Sequence, residues 1–149
     1  MRTGILAAGL LLLTLAGCTS LPSGTACSPS VAPADLVGTW KLESARYDGR
    51  EWPGLHQWRV VKMVTPERFL WFRSDRFTGI AQTLAYGLWT LEDNVYTEVP
   101  TDGNGADFGL IRDQNQVFRC AMSEGKWHHT GTLSDGTSID EVWVRVSNP

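Results

Sequence analysis

Cysteine and histidine are both scarce in this chain of 149 residues, with three of each. Cys18, Cys27 and Cys120 lie far apart, as does His56 from the pair His128–His129, so no zinc set with close ligand spacing exists. An excess of basic charge is missing too. Thirteen Lys and Arg face sixteen Asp and Glu, a formal net charge of -3, which leaves no electrostatic footprint for nucleic acid. The signatures of common catalysts are absent: no Gly-x-Ser-x-Gly elbow, no phosphate-cradling glycine loop, no His-Glu-x-x-His helix. His128 and His129 are neighbours in a β-rich run and point to opposite faces of a strand, as do Asp140 and Glu141, so neither pair forms a shared site. No enzyme, metal or cofactor is expected from such a chain. The one long apolar run, Ile5–Leu15, is too short to cross a bilayer comfortably. Beyond Gly38 no stretch carries a sustained apolar period of 3.6 residues, which argues against a helical fold.

What is there is β-rich. The short runs are Trp40–Arg46, Trp58–Val64, Arg68–Arg73, Phe77–Gln82, Ala85–Leu91, Val95–Val99, Phe108–Arg112, Val117–Met122, Lys126–Leu133 and Ser138–Val146. Asp48-Gly49, Pro66-Glu67, Ser74-Asp75, Glu92-Asp93-Asn94, Asp102–Gly105, Asp113-Gln114-Asn115, Ser123-Glu124-Gly125 and Ser134-Asp135-Gly136 separate them with the chemistry of tight reversals. The fold class expected is all-β, a small antiparallel barrel of about 8–10 strands. A barrel is preferred to a sandwich because closure leaves no exposed edge. All seven Trp lie after residue 39, and large aromatics fill a small barrel efficiently. Trp52 and Trp58 flank Pro53-Gly54 after the first run, either as packing against the barrel or as a lid or contact loop.

The first residues give an address. Arg2, the apolar run and the small residues that follow read as a secretory signal peptide over residues 1–17. Its end, Leu15-Ala16-Gly17-Cys18, resembles the bacterial lipobox, which implies cleavage before Cys18 and acylation of its thiol. Acyl chains bury about 0.8 kcal/mol per methylene, enough together to anchor a protein to the membrane. Thr19 rather than Asp after the Cys implies the outer membrane, facing the periplasm, if the host is Gram-negative. Residues 18–34, rich in Ser, Thr, Pro, Ala and Gly, then form a flexible tether, and the barrel domain is expected over residues 35–149. With Cys18 assigned to lipid, a disulfide between Cys27 and Cys120 is the economical expectation in an oxidising compartment, two free thiols being the alternative.

Two resemblances sharpen the fold. Gly38-Thr39-Trp40 resembles the Gly-x-Trp start of the first strand in lipocalins and fatty-acid-binding proteins. That resemblance implies that Trp40 plugs the closed end and that Arg145, on the last run, lies over its indole as a barrel-closing pair. The segments Val64–Trp71, Tyr96-Thr97-Glu98, Lys126-Trp127 with Thr130–Leu133, and Asp140–Trp143 look like a family of bacterial lipocalin-like domains, many of them secreted proteins or lipoproteins. The resemblance implies a barrel in the cell envelope and carries no reaction. Ala85–Trp89 departs from the family's usual Gly-Gly-x-Tyr, and the bulk of Tyr86 and Leu88 is expected to narrow the interior.

The function expected is a non-enzymatic envelope lipoprotein that binds a small apolar or amphipathic ligand; the alternative is a filled barrel that meets an envelope protein partner through its outer surface. Phe69, Trp71 and Arg73 alternate onto one face and form one candidate wall; Trp127 and His129 form another. Arg73 or His129 would satisfy a polar head, because an unpaired buried carboxylate is costly. Glu98 is expected outside, on the grounds that Val95 and Val99 take the core face; were it inside, it would need a donor such as Arg73 or Arg119.

Overall fold

The computed structural model describes residues 30–146, the side chains of residues 106 and 107 excepted. After a single helical turn α1 (Pro33–Leu36) come β1 (Gly38–Tyr47), β2 (Arg50–Glu51), a 3-10 turn (Pro53–His56), β3 (Trp58–Val64), β4 (Arg68–Asp75), β5 (Ala81–Glu92) and β6 (Val95–Gly103). A short helix α2 (Ala106–Ile111) leads to β7 (Gln116–Ser123), β8 (Lys126–Thr132) and β9 (Ser138–Arg145). From β3 onward each strand pairs antiparallel with the next, β3 also pairs β1, and β9 returns to β1. Trp40 then stands opposite Arg145, and Tyr47 opposite Ile139. The two residues of β2 only fold back on the end of β1. Eight long strands therefore close into a barrel.

The reversals explain the regularity. Asp48-Gly49, Asp93-Asn94 and Glu124-Gly125 all have positive φ at both residues, the turn whose twist matches that of the flanking strands. Two of the sequence-derived runs are not strands. Phe108–Arg112 falls mostly in α2, where Phe108 and Ile111, three apart, pack one apolar face on the barrel mouth. Phe77–Ile80 belongs to the link between β4 and β5, held by Asp75 accepting from the backbone of Phe77 and Thr78.

One end of the barrel is plugged. Trp40, Phe69, Tyr96 and Trp127 are buried there, with Trp127 edge-to-face against Trp40 at 5.6 Å and against Tyr96 at 5.1 Å, an arrangement aromatic quadrupoles favour. Leu36 of α1 is fully buried, and its carbonyl accepts from Trp40 Nε1 at 2.8 Å. The Arg145 guanidinium lies 4.3 Å from the centre of the Trp40 ring and donates to the carbonyls of Val37 and Asp35. Gly38, at φ +147, leaves the space the guanidinium fills; a Cβ there would collide with it. Packing begins ahead of the expected boundary at residue 35: Val31 is buried and its N–H donates to Asn94 Oδ1 at 2.7 Å. Cys18 and Cys27 lie outside the described residues.

Candidate functional site

Above the plug the lumen is open. A cavity of about 420 Å³ extends toward the other end of the barrel. Leu42, Val60, Trp71, Leu84, Phe118 and Ile139 give it apolar walls, and Trp52, Leu110, Leu133 and Thr137 bring the connecting segments of the mouth to its rim. Tyr86 and Leu88, expected to narrow this space, point outward and are 40% and 45% exposed. The residues on either side of Tyr86 that do face inward on β5, Ala85 and Gly87, are too small to obstruct.

The floor is polar. Lys62 from β3 reaches across the lumen to Glu98 on β6, Nζ to Oε1 at 2.6 Å, and Tyr96 OH donates to the same oxygen at 2.9 Å. Lys62 and Glu98 are 3% and 5% exposed. The lysine also sits 5.1–5.6 Å from the ring centres of Tyr96, Trp127 and Trp143, so π faces share in compensating its charge. The exterior placement expected of Glu98 is thus overturned. Tyr96, Glu98 and Pro100 take the inside of β6, while Val95, Thr97 and Val99 are half-buried on the other face. The donor is neither Arg73 nor Arg119 but Lys62, whose place between inward Val60 and Val64 in alternation was the signal available.

A second carboxylate, Glu141 on β9, is buried beside them. It accepts from Tyr47 OH and Trp143 Nε1, each at 3.0 Å. Burial raises its pKa above the usual carboxylate value, against the nearby Lys62 charge and these two donors, while Glu98 adds to the rise. The same burial, then the Glu141 charge, pushes the Tyr47 hydroxyl far above its ordinary range. His129 stands across the strand pair from Glu141. Its ring stacks on Trp127 at 5.3 Å and meets Phe118 edge-on at 4.0 Å. Nδ1 is 3.6 Å from Glu141 Oε2, and neither ring nitrogen has a hydrogen-bond partner. Burial and the Lys62 charge hold the imidazole well below its ordinary pKa, so it is neutral.

The candidate walls divide. Trp71, Arg73 and His129 line the cavity. Phe69 and Trp127 do not: Phe69 pairs with Val64 at the plugged end of β4, and Trp127 forms the plug beneath His129. Arg73 lies 4.4 Å from the centre of the Trp58 ring and donates to Gln82 Oε1 at 3.3 Å. Among the described residues, no three His, Cys, Asp or Glu side chains are grouped to hold a metal ion.

No protein-family model matches the chain, and no curated protein matches it. Among solved structures the chain is similar to an uncharacterized protein from Bacteroides eggerthii DSM 20697, at 16% identity and TM-score 0.53, over 74% of this chain and 98% of that one. It is also similar to a redesigned β-barrel at 15% identity and TM-score 0.50, over 81% of this chain and all of the other. At such identities the likeness concerns the fold alone.

Proposed function

We propose that the protein is a non-enzymatic, lipid-anchored envelope barrel, lipocalin-like in kind, that binds a small apolar or amphipathic molecule in its lumen. The observation that carries this reading is the cavity of about 420 Å³, apolar at its walls and polar at its floor. That size falls within the range of about 300–1,000 Å³ typical of small-molecule sites. A barrel that acts only through its outer surface has no need of an open lumen, which weighs against the scaffold alternative. The lipobox-like Leu15–Cys18 supports attachment to the membrane through acylated Cys18, at the outer membrane of a Gram-negative host. Polar groups at the floor serve orientation here rather than chemistry: Lys62 and Glu98 neutralise each other, and neither ring nitrogen of His129 is hydrogen-bonded to the Cys120 thiol that stands opposite it on β7 or to any other group among the described residues.

Native mass measurement of the protein taken from its own envelope tests the whole reading. The expected species begins at Cys18, carries acyl mass and retains a small molecule that is lost on unfolding. An unacylated N-terminus would refute the anchor. Acylated protein that retains nothing, and binds no amphiphile supplied to it, would transfer the assignment to the protein-partner scaffold.

A further inference from the structure

The buried floor of the lumen holds two carboxylates and one lysine. Lys62 is bonded to Glu98 and acts on Glu141 only through space, so the groups that donate to Glu141 are neutral, Tyr47 and Trp143, with an unprotonated His129 beside them. Arg73 does not fill the gap. It stands on the β4 wall against Trp58 and Gln82, and no carboxylate lies within ion-pair distance of it among the described residues. The two unpartnered nitrogens of His129, itself 1% exposed, mark the same corner as unfinished. A buried carboxylate without a counter-charge is costly, and a carboxylate guest would add a third acid to a floor whose lysine is already taken.

We propose that the lumen selects a ligand with a basic nitrogen at its polar end, an amine on an apolar body, whose ammonium pairs with Glu141 beside His129. The inference rests on the ligand-binding reading above and names the class of head group that reading leaves open. The ammonium supplies the missing positive charge, and a carboxylate has lone pairs to spare beyond the bonds from Tyr47 and Trp143. The apolar body lies against Trp71, Leu84 and Ile139, toward the mouth.

Octylamine, octanol and octanoate share one tail and differ in the head. Each is titrated at neutral pH into the purified full chain, with the fluorescence of the lumenal tryptophans as readout. Octylamine is expected to bind at least about tenfold more tightly than octanoate, the scale on which a desolvated charge pair is felt. Octanol should lie between them. Glu141→Gln should abolish the preference for the amine, read as the ratio of the octylamine and octanoate affinities measured in the same variant. Octanoate binding as tightly as octylamine, or more tightly, would overturn the amine assignment and leave the binding function standing. No saturable binding of any of the three would overturn both. The comparison of heads in the unaltered protein decides the matter even if Glu141→Gln does not fold.

Discussion

Lys62 and Glu98 meet across the barrel lumen at 2.6 Å, on strands that are not neighbours, with almost no exposure to solvent. The pair fixes the level at which the aromatic plug stops and the cavity begins. Its energetics are asymmetric: a buried pair adds little against an apolar replacement, but breaking it leaves one charge stranded. Lys62→Met should therefore cost about 3–5 kcal/mol, and Lys62→Met with Glu98→Leu should recover most of that loss. Denaturant unfolding of the two variants checks this. A single variant as stable as the double would show that the ion pair is not what holds this level of the barrel.

The plugged end rests on Arg145 over Trp40, with the guanidinium also donating to Asp35 and Val37. Arg145→Ala should destabilise by about 1–3 kcal/mol, more than an ordinary surface change. Gly38→Ala should act through the same contact, because its Cβ would displace the guanidinium and its φ of +147 is unfavourable for any side chain. Thermal unfolding of each variant tests the point. A smaller loss for Gly38→Ala in the Arg145→Ala background would tie the two effects together.

His129 gives the fold a pH dependence. Its folded pKa lies well below the ordinary 6.5 because the ring is buried and faces Lys62. The unfolded chain binds a proton near that value and the folded one does not, so stability falls as pH drops below about 6.5, by up to ~1.4 kcal/mol per pH unit. Glu141, packed against it, has the opposite sign. Its raised folded pKa gives stability that is present below the unfolded value and lost as pH rises through the folded one. His129→Phe should flatten the slope between roughly pH 5 and 6.5, read from urea unfolding across that window. An unchanged slope would mean that the imidazole is charged in the folded protein.

Cys120 lies inside the barrel, and burial lifts its thiol to about 11. Its N–H donates to the carbonyl of Asn94, the residue whose side chain receives Val31. The chain entering at Val31 thus reaches the strand of Cys120, four residues after Cys27. Cys120 should resist alkylation in the folded protein. If it bonds Cys27, neither thiol should be alkylated in unfolded, unreduced protein, and both should react once reductant is added. Two reactive thiols without reductant would reject the disulfide.

Most of the barrel was legible because its punctuation is local. Asp48-Gly49, Asp93-Asn94 and Glu124-Gly125 each announce a hairpin without help from the rest of the chain. The helix α2 was not, since Phe108–Ile111 is equally apolar by either period over one turn and only the mouth it covers decides. The floor was hidden for a different reason. Glu98 enters the lumen because Lys62 waits there, and that lysine is 36 residues away in sequence. Alternation alone favoured Val95 and Val99 as core, which misplaced the acid. In the sequence Glu141 and Asp140 are simply two acids facing apart; Glu141 is the inward one, and its partners Tyr47 and Trp143 become visible only when β9 closes on β1.

The open lumen itself is tested most directly by filling it. Leu84 lines the cavity from β5, and Leu84→Phe adds bulk into that space without touching the polar floor. Native protein and this variant are titrated with small apolar dyes and alkyl amphiphiles, followed by tryptophan and dye fluorescence. Saturable binding at one site in the native chain, weakened by about tenfold or more in a folded Leu84→Phe variant, is expected. No saturable binding by the native protein, or binding that the filled lumen leaves unchanged, would contradict it.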